Sequence, residues 1–108
     1  MSDLNSFLTV NVGTSLTAVS TTPAAGKKHI IGSWVLANTS SNSVSVDCCI
    51  RRAAVDYYQV KGFTLQAGDT LFLHGLLGKV VLLAGDVLYS KSSVAASLDV
   101  SVSIAEEP

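Results

Sequence analysis

Charge is what this sequence has least of. Its 7 Lys and Arg and 8 Asp and Glu amount to 14% of 108 residues, against roughly 25% in an average soluble domain. A formal net charge of -1 projects no field toward nucleic acid or an anionic membrane surface, because both need clustered Lys and Arg. Neither is an expected partner. A run of about 18 apolar residues is also missing, which excludes a membrane-spanning helix. The start, MSDLNSFL, lacks a basic segment followed by an apolar one, so no secretory signal is expected and the chain reads as one made in a cytoplasm. Cysteine is limited to Cys48 and Cys49. Adjacent residues of a strand point to opposite faces, so a bond between these two would strain the backbone, and both are expected as reduced thiols. Nor does any segment hold a 3.6-residue apolar period over the roughly ten residues a helix needs.

What remains is a strand-forming chain, 48% hydrophobic, with Ser and Thr supplying most of its polarity. A length of 108 residues suits one domain with one core. Residues 1–6 are expected to be a flexible arm, and Phe7 to Val12 a first strand that forms a hairpin with Ser15 to Ser20. Pro23 and Gly26 mark residues 21–28 as loop. His29 to Ala37 is apolar on both parities, which suits a strand covered on both faces, by the core and by a neighbouring subunit. Asn38 to Asn42 then leads to an antiparallel partner in which Val44, Val46, Cys48 and Ile50 alternate with Ser45, Asp47, Cys49 and Arg51. Val55 to Lys61, Thr70 to His74, Lys79 to Leu83 and Val87 to Lys91 read as further short strands. In the last strand Leu98, Val100, Val102 and Ile104 alternate with Asp99, Ser101 and Ser103, one face buried and one wet. Residues 105–108 are an acidic tail. About eight strands at intervals of roughly 8 to 12 residues predict an all-β fold, a single antiparallel β-sandwich of jelly-roll or immunoglobulin-like type.

One motif occurs twice. FTLQAGDTLF and VVLLAGDVLY share Leu-x-Ala-Gly-Asp-x-Leu-aromatic, with Leu65 on Leu82, Gly68 on Gly85, Asp69 on Asp86, and Leu71 on Leu88. Glycine takes the positive φ of an abrupt turn, and an adjacent Asp can bond the turn's backbone. The repeat therefore reads as a twice-used corner that brings flanking leucines onto one core. A paired-carboxylate site at Asp69 and Asp86 is the competing reading, and no His, Glu or further Asp is spaced to complete it. His29 and His74 stand alone, without partners at metal-ligand spacing. No nucleophile elbow surrounds any serine, and Gly75-Leu76-Leu77-Gly78 lacks the Lys-Ser or Lys-Thr of a phosphate loop. Neither an enzyme, a metal nor a cofactor is expected.

The sequence offers contacts instead. Leu76 and Leu77 in a turn, Trp34, and Tyr57 or Tyr58 are apolar groups that a small sandwich leaves exposed or uses to close the ends of its core. Arg51 and Arg52 read as rim contacts or solvated residues. Three stretches, HIIGSWVLANTSSNSVSVDCCI, YYQVKGFTLQAGDTL and GKVVLLAGDVLYSKSSVAASLDVSVSIAEE, resemble the small virion structural proteins of tailed bacteriophages. The likeness lies in the Ile-Gly-x-x-x-x-Ala-Asn segment at Ile31 to Asn38 and the closing Leu-x-x-Gly-Asp-x-Leu and Asp-Val-x-x-Ser pair. It spans about residues 29–106 and departs at Gln66-Ala67, where proline is common.

That resemblance implies a β-sandwich in the virion that assembles through symmetric contacts, as a homo-oligomer with a trimer favoured, and with major capsid or other virion proteins. A capsid decoration or cement protein is the first expectation, its contacts carried by Leu4 and Phe7 of the arm, Asn38 and Ser40 of one loop, and Leu76 and Leu77 of another, with the arm adding a strand to a neighbour. A neck, collar or tail accessory protein is the second. A carbohydrate-binding sandwich with Trp34, Tyr57 and Tyr58 as stacking platforms is the third.

Overall fold

The computed structural model describes residues 3–73 and 80–108. Its strands are β1 (Asp3–Val12), β2 (Thr17–Ala18), β3 (Lys28–Asn38), β4 (Val44–Arg52), β5 (Val55–Leu65), β6 (Thr70–Phe72), β7 (Val80–Leu83), β8 (Val87–Ser92) and β9 (Leu98–Glu107). They form two antiparallel sheets packed face to face, the expected β-sandwich. The first sheet runs β1-β9-β3-β6, with β7 also on β3, and the second runs β2-β8-β4-β5. On the free side of β3, β7 lies along residues 28–31 and β6 along residues 35–37.

Between these strands the chain changes sheet at every connection except β4 to β5 and β6 to β7. Two expected hairpins are therefore replaced. Phe7 to Val12 pairs with β9 and not with the segment after it, and β3 and β4 face each other across the core instead of sharing a ladder. Local alternation sets which face of a strand is apolar but not which strand it joins, and in a sandwich the buried area comes from the opposite sheet.

The arm and the tail are also altered. Leu4 pairs with Ala105 and Asp3 with Glu106, so residues 3–6 and 103–106 are ladder partners, and Glu107 pairs with Lys28, a long-range pairing that no local pattern announces.

The core gathers the inward residues of both sheets, with Trp34, Leu36, Leu82, Leu88, Leu98 and Val102 each at most 1% exposed. The two-parity apolar run of β3 is resolved by a register shift between Ile31 and Ser33. Ile31 on an odd position and Trp34 on an even one both point inward, while Ile30, Val35 and Ala37 are half-buried on the other face. Bulges re-aim a strand in this way. A second bulge between Thr9 and Val12, with Asn11 at φ 58, turns Val12 into the core. Serine does not stay on the wet face: Ser90, Ser92 and Ser97 are fully buried, Ser90 beside the Cys48 thiol at 3.5 Å and the other two bonded locally, as where Ser97 Oγ donates to Val94 O at 2.7 Å.

Candidate interaction surface

The duplicated motif makes both of the described corners at which the chain passes between sheets through Ala-Gly-Asp: β5 to β6 through Gly68 and β7 to β8 through Gly85. Their geometry matches. Gly68 has φ 75 and Gly85 φ 95, and the Asp amide of each donates back to residue i-3, Asp69 to Gln66 O and Asp86 to Leu83 O, both at 3.0 Å. Leucines on either side, Leu65, Leu71, Leu82 and Leu88, are all buried.

The two carboxylates then diverge. Asp69 is exposed, and its corner is held by Asn38, which is 2% exposed. The Asn38 amide nitrogen donates to Asn42 O, Leu65 O and Gln66 O at 2.8 to 3.1 Å, and its Oδ1 accepts from the Ser40 amide and hydroxyl. Asn38 and Ser40, expected to contact a partner, are thus committed within the chain, because a buried amide must find internal partners for both ends. Asp86 is fully buried. It accepts a bidentate pair from Arg52 Nε and NH2 at 2.7 and 2.6 Å, and a third bond from the Leu83 amide at 2.9 Å. The Arg52 guanidinium holds its carboxyl below the usual carboxylate range.

Arg51 is likewise engaged, bonded to Asp56 at 2.6 Å and stacked over the Tyr89 ring at 4.0 Å. Neither arginine is a free rim residue. These pairs brace the β4–β5 hairpin, whose two-residue turn places Ala53 at φ 52 and Ala54 at φ 63.

The remaining chemistry-bearing groups are enclosed singly. Cys48 and Cys49 are free and buried, and burial pushes the Cys48 thiol up to about 12. His29, 3% exposed, reaches one carboxylate, Glu106, through Nε2 at 3.0 Å. Among the described residues no three His, Cys, Asp or Glu side chains gather into a metal-binding group. Trp34 is 1% exposed, which removes it as a stacking platform. Tyr57 and Tyr58 pair with Ile50 and Cys49 respectively and so face opposite sides of β5.

Exposed apolar surface is concentrated elsewhere. Of eleven large hydrophobic side chains exposed among the described residues, six belong to the first sheet: Leu4, Leu8, Val10, Phe72, Val81 and Leu83. Ladder register orders them. One row crosses the outward face as Leu4, Ala105, Ile30 and Val81, and another as Leu8, Ser101, Val35 and Phe72, so the exposed groups flank a half-buried centre. Leu4 is 85% exposed, whereas Phe7, the other expected contact residue of the arm, points inward onto the core, with its ring 6.4 Å from that of His29. Leu76, Leu77 and His74 lie outside the described residues.

The rim of this face is β1, a ten-residue edge strand with β9 on one side only. Asp3 is its one charged residue and it contains no proline. Natural sheets protect long edges with lysine, proline or bulges. The other long edge, β5, has Lys61, whose Nζ lies 4.1 Å from the Tyr58 ring, beside Gly62 at φ 67. On β1 the bulge comes only at the Thr9 end, leaving residues 3–9 regular. Ser6 N–H donates to its neighbour Asn5 Oδ1 at 2.8 Å, a local substitute for a strand partner.

No protein-family model matches the chain, and no curated protein matches it.

Proposed function

We propose that this chain is a non-enzymatic virion structural protein of a tailed bacteriophage, of the capsid decoration type, which attaches to the shell by contact with its subunits. The β-sandwich fits that reading, and the resemblance over about residues 29–106 is its source. The observation that carries it is the open β1 edge. A long, regular edge with a single charged residue, bordered by Leu4 and Leu8, 85% and 78% exposed, is suited to receive a strand from a neighbouring subunit, main chain supplying affinity and alternate side chains selectivity.

The test is binding to shells that lack the protein. Purified wild type is expected to co-sediment with them, with copies per particle in the hundreds. Ser6→Pro removes an edge N–H without adding charge, and is expected to abolish co-sedimentation while leaving the circular dichroism spectrum unchanged. Binding at only about a dozen copies on one axis would move the protein to the neck or tail. Absence of binding to any part of the particle would end the virion reading.

A further inference from the structure

The outward face of the first sheet is a second surface, separate from the β1 edge, and its occupant can be argued from its shape and charge. We propose that it packs face to face on the same face of a second copy, forming a two-fold dimer with ten strands in its central pair of sheets.

Size comes first. Four strand widths of about 4.8 Å and about ten residues at roughly 3.3 Å each give a plan area on the order of 600 Å². Side chains raise the accessible area above that figure, toward the roughly 800 Å² per partner of a stable interface. This suffices for a dimer without further elements.

Charge selects the partner. The centre of the face carries only Ile30, Val35, Ala37, Ala105 and the serines, and the Ser33 and Ser103 hydroxyls bond each other. Ionic groups sit at its ends, Asp99 beside Ala37 at one and Lys28 beside Glu107 at the other. A two-fold lying in the interface across the strands runs the two copies antiparallel, lays the uncharged centres on one another and sets the Asp99 end of each copy over the mixed end formed by the partner's Lys28 and the partner's Glu107, so every ionic group stays at the rim. The face is therefore complementary to itself, which an isologous contact requires, and its uncharged centre matches the apolar character of homodimer interfaces. An antiparallel sheet with large apolar groups on both flanks also suits sheet-on-sheet packing.

Two flanks permit a discriminating experiment. Val81 is 43% exposed on the flank far from β1, and Leu8 is 78% exposed on the near flank. Sedimentation velocity of the full chain across the micromolar range is expected to show a dimer. Val81→Lys and Leu8→Lys are each expected to weaken it by roughly tenfold or more, since each buries an unpaired charge in the contact. Phe63→Lys, on the second sheet, leaves the dimer intact. Retained Trp34 fluorescence shows that each variant is folded, and Leu83→Lys replaces Val81→Lys if it is not. A wild type that stays monomeric, or forms a trimer, overturns the proposal. So does a dimer that Leu8→Lys disrupts and Val81→Lys does not, because pairing through the β1 edge alone gives that result. Shell binding is read separately: a dimer that ignores shells ends the virion reading alone, and a shell-binding monomer ends this one alone.

Discussion

Replacing Asp86 by Asn, beside the matching change at Asp69, separates two residues that the sequence presents as copies. The Asn variant keeps the size of the side chain and removes its charge. At position 86 it weakens three hydrogen bonds, two from Arg52 and one from the Leu83 amide. A bond to a charged group contributes about 1.5 to 3 kcal/mol, but the loss is not threefold that, because Arg52 is 53% exposed and regains water. The penalty of an uncompensated buried guanidinium does not arise either. A loss of about 2 to 3 kcal/mol follows for Asp86→Asn, and less than about 0.5 kcal/mol for Asp69→Asn on the exposed corner. Trp34, the single tryptophan and 1% exposed, reports unfolding directly. With a urea slope near 1.5 kcal/mol per molar, the Asp86→Asn midpoint is expected about 1.5 M below wild type, and the Asp69→Asn midpoint close to it. Equal midpoints for the two variants, or the reverse order, would refute the assignment of the buried pair.

Two further outcomes follow from the same hairpin and corner. Arg52 holds the Asp86 carboxyl below its unfolded value, so the stability this pair contributes is fully present above the ordinary carboxylate range and is lost as pH falls through the folded value. The gap in stability between wild type and Asp86→Asn is therefore expected to stay constant from neutral pH down to about pH 5 and to close below about pH 4; a gap that widens on acidification would reverse the sign of the argument. In the β4–β5 turn, Ala53 and Ala54 both lie at positive φ, a conformation suited to Asn-Gly. The double change Ala53→Asn with Ala54→Gly is expected to stabilise the fold by about 1 to 2 kcal/mol in the same urea assay, and no gain would mean the turn is unstrained.

The strand-forming character, the number of strands and the twofold use of the corner were legible in sequence because each rests on local rules. The alternation of Leu98 to Ile104 and the Gly-Asp turns need only neighbours a few residues away. The reading of Asn38 as a surface contact was overturned by a partner far along the chain, Gln66, while Arg51 and Arg52 stay at the surface with carboxylate partners, Asp56 nearby and Asp86 far along the chain. Nothing at residue 52 signals that residue 86 will be buried beside it. The apolar outward residues of β3 were visible as a run without alternation. Which of them face out depends on a bulge between Ile31 and Ser33, set by the register of β9.

By itself, the sequence determined that this chain forms strands around one core with glycine corners, because the side-chain period of two and the positive φ of glycine are properties of the local backbone. Tertiary structure alone decided that the two Ala-Gly-Asp turns are crossings between sheets, with one aspartate exposed and the other locked to Arg52. It also decided that the first and last segments are strands rather than arm and tail, leaving β1 as an open edge beside an apolar face. Pairing across the length of the chain assigns those outcomes, since burial is a property of the assembled sheets and not of any segment within them.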